Sequence, residues 1–149
     1  MVYSFALLGG ILYIVQPELF EAGMDCFNRL KANESVHKEF AMFTEVLELW
    51  ATPFNALSVI CNRASPLHRD AQGDQQWFDL ITTVGEYSGA QLILPDVGMQ
   101  MEYASGTVVA FSGKRLRHEV TPHVGNRICI AQYMRKPVHR RVGVYSDST

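Results

Sequence analysis

The sequence predicts an α+β fold that is mainly β, a sandwich or barrel preceded by helices. From Phe54 onward, short apolar segments alternate with turns rich in Gly, Pro, Asp and Ser, a spacing typical of all-β sandwiches and barrels. Eight strands are predicted, at 54–62, 66–70, 77–84, 90–94, 99–104, 107–111, 116–121 and 127–134.

Two helices are predicted ahead of these strands. The first begins at Pro17, because proline is favoured at the first helical position, and its apolar residues recur at helical spacing to Leu30. The second begins near Ser35 and ends before Pro53. We expect both helices to pack on the outer face of the larger sheet. The apolar stripe of the second helix is Val36, Phe40, Phe43, Leu47 and Trp50.

The ends of the chain give two further expectations. The run from Tyr3 to Val15 is apolar but too short to span a bilayer, so a buried strand is predicted and no membrane is expected as a partner. No basic residue precedes this run, which argues against a signal peptide. From Lys136 the chain is polar and is expected to fray. A length of 149 residues suits one domain, with an N-terminal strand and helices in 1–53, a core in 54–135 and a tail in 136–149.

Charge is distributed unevenly along the chain. Segment 114–149 carries eight basic and two acidic residues, a balance of +6. Because the whole chain has a net charge of −2, the other residues have a balance of −8. This asymmetry suggests either an anionic partner near the basic end or a solvated surface with scattered neutralising partners. Three widely spaced cysteines form no disulfide framework or zinc motif, so a reducing, intracellular location in the nucleus or cytoplasm is expected.

His68 and Asp70 form the first candidate metal pair. Residues two apart on a strand point to the same face, so an imidazole and a carboxylate can meet one ion. Acidic residues are 15 of 149, so chance alone often places one two positions after a histidine. An isolated pair of this kind is therefore better read as a surface contact.

His118 adds a third candidate ligand on a late strand. Two histidines and one carboxylate leave coordination positions open, as in non-haem iron(II) oxygenases. Zinc is the alternative metal for such ligands, but a catalytic zinc site gives no reason for an arginine nearby.

Arg127 follows His118 across a turn and lies in an apolar strand. Its planar guanidinium can grip a carboxylate through two hydrogen bonds, as the distal carboxylate of 2-oxoglutarate requires. Alternation predicts that Cys129, Ala131 and Tyr133 also face inward, with Ile128 and Ile130 on the outer face. A surface arginine is the alternative reading.

The order of these motifs resembles the double-stranded β-helix (jelly-roll, cupin-like) of 2-oxoglutarate dioxygenases, over about residues 54–135. The stretches around Phe54–Val59, Pro66–Asp70, Trp77–Leu80 and Arg127–His139 resemble fungal members of the TET/JBP dioxygenase group. The resemblance implies Fe(II) held by His68, Asp70 and His118, and 2-oxoglutarate held by Arg127. It also implies oxidation by O2 of a methylated nucleobase, with nucleic acid as partner.

Other residues carry weaker predictions. Asn55 and Asn62 are candidates for binding the co-substrate, although strand amides more often satisfy backbone groups. Trp77 is a candidate for stacking on a flipped base, although a single strand aromatic is more often core. We expect three histidines to be exposed and non-catalytic: His37, His123 and His139.

Three functions remain open at this point. The first is oxidation of a nucleobase, although the chain is short and lacks both the cysteine-rich zinc region of animal TET enzymes and an evident DNA-reading module. The second is the same iron chemistry on a protein side chain or small molecule, since the spacing around His118 and Arg127 also resembles prolyl hydroxylases. The third is a non-catalytic β-barrel binding module.

Overall fold

The computed structural model describes residues 2–33 and 43–144. They form two compact units. The helical unit comprises the described residues up to Asn55 and from Met134 onward, and the β unit is Ala56–Tyr133. The prediction of one domain, with its helices packed on the larger sheet, stays a prediction.

In its described residues the helical unit contains four helices: α1 (Val2–Val15), α2 (Pro17–Ala32), α3 (Phe43–Leu49) and α4 (Lys136–Arg141). A buried cluster of Cys26, Leu30 and Leu47 joins α2 to α3, and Val138 of α4 packs against it. The helix predicted from Pro17 is therefore confirmed. The second predicted helix is confirmed as α3 only from Phe43, because its earlier part lies outside the described residues.

The prediction of a buried N-terminal strand is wrong, because this run forms the helix α1. Periodicity cannot separate a strand from a helix in a continuously apolar run, and fourteen residues suit a helix better than a strand. Gly9 is needed here because a Cβ at this position would lie 3.0 Å from Pro53 Cδ. In the part of the chain that the structure describes, no helix combines the length and hydropathy needed to cross a membrane.

The prediction that the chain frays from Lys136 is also wrong for 136–144, since α4 begins there, and residues 145–149 lie outside the described part of the chain. Pro137 lies in the first turn of this helix, where a missing N–H costs no hydrogen bond. The backbone N–H just before the helix, from Arg135, donates to Asn55 Oδ1 at 2.8 Å. Packing of Val138 on the α2–α3 cluster then holds a helix too short to be stable alone.

The β unit consists of two four-stranded antiparallel sheets. The first has the order β1-β8-β3-β6 and the second β2-β7-β4-β5. This interleaved order is that of a jelly-roll or double-stranded β-helix, so the predicted fold class is confirmed. A single-turn 3₁₀ helix, Pro95–Val97, joins β4 to β5. The strands are β1 (Ala56–Cys61), β2 (Ser65–His68), β3 (Asp79–Ser88), β4 (Gln91–Leu94), β5 (Met99–Glu102), β6 (Val108–Phe111), β7 (His118–Val120) and β8 (Val124–Tyr133).

All eight predicted strands are present, and their ends differ from the predicted ones by at most four residues. The buried core lies between the sheets and includes Leu92, Tyr103 and Phe111. Alternation sets which side chains enter it. In β4, for example, Leu92 and Leu94 are buried while Gln91 is exposed.

Candidate metal and co-substrate site

The three candidate ligands come from two neighbouring segments of the second sheet. Strands β2 and β7 pair antiparallel, and His68 lies opposite His118. Asp70 lies two residues beyond the end of β2, so the predicted strand 66–70 ends earlier than expected. The Asp70 backbone N–H donates to Gly113 O at 3.0 Å, which fixes this residue without a strand.

The structure brings His68, Asp70 and His118 together, with one candidate ligand atom from each within 4.8 Å of the others. His68 Nε2 lies 3.7 Å from Asp70 Oδ1, and the two imidazole rings are 4.2 Å apart between centroids. His118 is buried, whereas the His68 and Asp70 side chains are 40% and 44% exposed. The cluster therefore has one protected side and one side open to solvent.

Both imidazoles are oriented by backbone carbonyls. His68 Nδ1 lies 2.7 Å from Pro66 O, and His118 Nδ1 lies 3.2 Å from Leu116 O. If each Nδ1 carries the proton, it donates to that carbonyl, and Nε2 keeps a lone pair for a metal. Each carbonyl lies two residues before its histidine, so the local backbone sets the tautomer that a metal ligand needs.

Burial lowers the pKa of His118 below its ordinary value, because the charged imidazolium is poorly solvated between the sheets. Its contact with Leu116 O and the charge of Asp70 act in the opposite direction, more weakly. His118 is therefore kept neutral, the form that binds a metal ion.

Gly113 makes room for the Asp70 carboxylate. A Cβ at Gly113 would fall on Asp70 Oδ2, well inside van der Waals contact, and 3.1 Å from Asp79 Oδ2. The Gly113 backbone also donates to Asp79 Oδ2 at 3.3 Å. Sequence reasoning missed this role because Gly113 stands in a turn, where glycine has an ordinary local explanation.

A cavity of about 110 Å³ lies between the sheets beside these ligands. Asp70 and His118 line one end of the cavity, which we call the metal end. Arg127 lines the other, which we call the arginine end. The other lining residues are Ile60, Arg63, Ser65, Ile81, Leu92, Tyr103, Val120, Cys129 and Ala131. Arg127, Cys129 and Ala131 thus face inward as alternation predicted, and Ile128 is 39% exposed.

Arg127 is 2% exposed. Its guanidinium carbon lies 4.8 Å from the Tyr103 ring centroid and 6.0 Å from that of Tyr87. One NH group donates to Arg63 O at 3.3 Å. Among the described residues, no carboxylate pairs with Arg127, and its buried Nε has no hydrogen-bond partner.

The two candidate asparagines have structural contacts. Asn62 has a left-handed backbone with φ of 51°. Its Oδ1 accepts from the Arg127 backbone N–H at 2.7 Å, and its Nδ2 donates to Asn126 Oδ1. Asn55 belongs to the helical unit and accepts from Arg135. Neither lines the cavity, and their predicted role in binding the co-substrate stays a prediction.

Two of the three histidines expected to be exposed are not. His139 is 1% exposed within the helical unit, because α4 forms where a frayed tail was expected. His123 is half-buried with its ring edge-on to Tyr87 at 5.7 Å. His37 lies outside the described residues. Trp77 is half-buried just before β3, and its predicted stacking role stays a prediction.

Sequence reasoning also missed Tyr103 and Arg63. Tyr103 is 1% exposed and packs on Arg127, and burial raises its pKa above the ordinary range for tyrosine. Arg63 is exposed, lines the cavity from the turn between β1 and β2, and forms no side-chain ion pair with a described residue. No local pattern marks either residue, since each is defined by its neighbours across the sheet.

The residues present fit an iron ion and a small dicarboxylate. Two nitrogens and one carboxylate are the ligand set of non-haem iron(II) sites. A buried cation without a counterion is costly, so the partnerless Nε of Arg127 fits an anion that enters the cavity.

A jelly-roll that carries this ligand set beside a buried arginine has the arrangement typical of the non-haem iron oxygenase class. A family model described as the oxygenase domain of the 2OGFeDO superfamily (Tet_JBP) matches residues 1–136. The chain therefore belongs to the TET/JBP family of this superfamily. Membership implies Fe(II) and 2-oxoglutarate as cofactor and co-substrate. The narrower fungal affiliation stays a prediction.

A solved structure agrees with the fold. The structure described as NgTET1 in complex with 5mC DNA aligns with a TM-score of 0.54 at 14% identity. The alignment covers 67% of this chain and 39% of that one, so this chain spans about two fifths of that protein. At this identity the likeness shows the fold alone. A comparison with curated proteins found no match.

Proposed function

We propose that this chain is an Fe(II)- and 2-oxoglutarate-dependent dioxygenase that oxidises a methylated base in nucleic acid. The observation that carries the proposal is one cavity with two complementary ends. The cluster of His68, Asp70 and His118 lies at one end and the buried, unpaired cation of Arg127 at the other.

Each end has a defined task. His68 and His118 offer Nε2 atoms, and Asp70 offers a carboxylate oxygen, as ligands for Fe(II). Arg127 binds the distal carboxylate of 2-oxoglutarate, and the adjacent rings of Tyr103 and Tyr87 hold its guanidinium in place. When bound, Fe(II) and 2-oxoglutarate together supply the oxidising chemistry with O2.

Apolar side chains limit the access of water to the buried side of the cavity. Ile81, Leu92 and Val120 line it from both sheets. Removal of water strengthens the pairing of Arg127 with a carboxylate, because charges attract more strongly in a low-dielectric medium. The small side chains of Cys129 and Ala131 leave space between the two ends.

Positive charge near the cavity supports a nucleic-acid substrate. Arg63 lines the cavity and Arg115 is exposed. Lys114 follows Gly113, and its ammonium donates to Ala71 O at 2.9 Å, next to Asp70. Arg117 contributes less than the sequence suggests, because it pairs with Asp96. Four further basic residues of segment 114–149 belong to the helical unit: Arg135, Lys136, Arg140 and Arg141.

A base in a duplex cannot reach a metal between two sheets. The substrate base must therefore be flipped out of the stack, or belong to a single strand. Family membership and the DNA bound to NgTET1 favour a methylated base over a protein side chain or a small molecule.

The test uses methylated oligonucleotides, single- and double-stranded, incubated with protein, Fe(II) and 2-oxoglutarate under air. We expect an oxidised base, detected by mass spectrometry of the digested nucleosides, and no product with His118→Ala. Binding should weaken steeply with salt, and Lys114→Glu with Arg115→Glu should lower the log–log slope by about one unit for each lost phosphate contact.

Two results would contradict the substrate assignment together. They are salt-insensitive binding to every oligonucleotide and the absence of any oxidised base. Succinate release under those conditions would leave hydroxylation of a protein or small molecule as the function. Absence of succinate under all conditions would leave a non-catalytic binding module.

A further inference from the structure

Asp96 makes the densest set of ion pairs in the described part of the β unit. It lies in the 3₁₀ helix between β4 and β5. Arg117 donates to its Oδ1 through Nε at 2.8 Å and pairs with the same oxygen through a terminal nitrogen at 2.7 Å. The Arg117 backbone N–H donates to Oδ2 at 2.8 Å, and Arg69 donates to Oδ2 at 3.2 Å.

The two arginines that pair with Asp96 are sequence neighbours of the candidate metal ligands. Arg69 stands between His68 and Asp70, and Arg117 directly precedes His118. One carboxylate therefore joins the two separate segments that carry all three candidate ligands. The link runs through side chains on the outside of the cavity, so it adds to the pairing of β2 with β7.

We propose that Asp96 is a positioning residue that holds the two ligand-bearing segments at the spacing a metal ion requires. This inference rests on the proposed function, because it assumes that His68, Asp70 and His118 bind a metal.

The β2–β7 pairing alone leaves this spacing loosely fixed. Only Ser65↔Val120 and His68↔His118 pair, with an irregularity between them, and Asp70 lies beyond the strand. A lone ion pair on a surface would contribute little to such positioning. Asp96 differs because its carboxylate accepts from a backbone N–H and from two arginines, one of which makes a two-nitrogen contact, and its side chain is 19% exposed.

Electrostatics are consistent with tight pairing. The contacts from Arg117 and then Arg69 hold the pKa of the Asp96 carboxyl well below its usual range. The hydrogen bond to Asp96 and the charge of that carboxylate raise the pKa of Arg117. The carboxylate of Asp96 thus stays charged at neutral pH.

The test measures Co(II) affinity of the full chain, with Co(II) as a stable stand-in for Fe(II). Asp96→Asn keeps the shape and removes the charge. We expect it to raise the Kd for Co(II) by about tenfold, the lower end of the effect of losing an outer-shell partner. Glu102→Gln is the matched control, since it removes one carboxylate from exposed β5 of the same sheet. It should leave the Kd within twofold of the wild type.

A second substitution keeps every charge. Arg117→Lys retains the cation but loses the two-nitrogen contact, so its Kd should lie between those of the wild type and Asp96→Asn. The visible absorption of bound Co(II) should change in Asp96→Asn, because the ligands meet the ion in altered geometry. A residue that only stabilised the fold would lower the melting temperature without altering this spectrum.

The outcomes separate the two ideas. Wild-type binding that is lost in His118→Ala but unchanged in both Asp96→Asn and Arg117→Lys would overturn the positioning role and leave the proposed function intact. Equal weakening by Asp96→Asn and Glu102→Gln would show a general charge effect and would also overturn it. Absence of Co(II) binding by folded wild-type protein would overturn the proposed function and this inference together.

Discussion

The two ends of the cavity carry opposite charges. At the metal end, backbone carbonyls orient His68 and His118, and Asp70 supplies the negative charge that a metal ion would neutralise. At the arginine end, Arg127 is buried against Tyr103 with no carboxylate partner among the described residues. Asp70 gives the metal end a negative charge and Arg127 gives the arginine end a positive one, so one metal ion and one dicarboxylate would balance both.

This difference predicts that the two ends can be disabled separately. Changes at the metal end should alter metal affinity first, and changes at the arginine end should alter the Michaelis constant for 2-oxoglutarate. A substitution that moves both quantities equally would argue against two distinct ends.

The largest effect is expected from loss of a candidate ligand. His118→Ala, His68→Ala or Asp70→Ala should each weaken metal binding by more than the roughly 10–100-fold that loss of an outer-shell partner costs. Succinate production should fall to background while circular dichroism shows a retained fold. Full turnover by any of these variants would remove that residue from the metal end.

Arg127→Lys should produce the next largest effect. Lysine keeps the charge but cannot form the planar two-nitrogen contact. Hydrogen bonds to charged groups contribute about 1.5–3 kcal/mol, so the Michaelis constant for 2-oxoglutarate should rise by about 10–100-fold. The Kd for the metal should not change. An unaltered Michaelis constant would mean that Arg127 does not hold the co-substrate.

Gly113→Ala should weaken metal binding, although Gly113 is not itself a candidate ligand. The added methyl group would displace the Asp70 carboxylate, and we expect metal affinity to fall by about tenfold. Gly73→Ala is the matched control, because a Cβ there meets Lys114 Cβ at an ordinary 3.4 Å. Equal metal affinity in both variants would show that Asp70 tolerates the displacement.

The smallest effect is expected from acid, which should lower the stability of the metal-free protein through His118 at the metal end. Burial holds the pKa of His118 below 6.5, so in acid the unfolded chain binds a proton that the folded chain resists. The contribution of His118 to the stability of the metal-free protein is therefore fully present above pH 6.5, and it is lost progressively as the pH falls below 6.5 toward the lower pKa of the folded state. Buried His139 contributes in the same direction.

The measurement is thermal unfolding of the metal-free protein at about pH 7.5 and about pH 5.5, the interval in which histidine titrates. The wild type should lose more stability over this interval than His118→Gln does. An equal loss in both proteins would show that His118 does not contribute.

Much of the β unit could be predicted from the sequence, because alternation and turn residues are local signals. These two signals predicted all eight strands and the inward direction of the Arg127 side chain. The sequence also predicted that His68 and Asp70 lie together, but on the ground that both share one face of a strand. In the structure Asp70 lies beyond the end of the strand and is held by Gly113 O.

The errors came where local signals are ambiguous or distant contacts decide. The apolar run of α1 has no period that separates a helix from a strand. The helix α4 depends on packing against α2 and α3. The link from Asp96 to Arg69 and Arg117 spans more than twenty residues in both directions, and no sequence pattern marks such a contact.

The central claim is that one cavity binds a metal and 2-oxoglutarate together. Its most direct test is a titration of 2-oxoglutarate into the Co(II)-loaded chain without oxygen, followed by visible absorption. The wild type should show a saturable change with one molecule bound per chain, Arg127→Lys should require a higher concentration, and His118→Ala should show no change. A folded, Co(II)-loaded wild type that shows no response to 2-oxoglutarate would contradict the account.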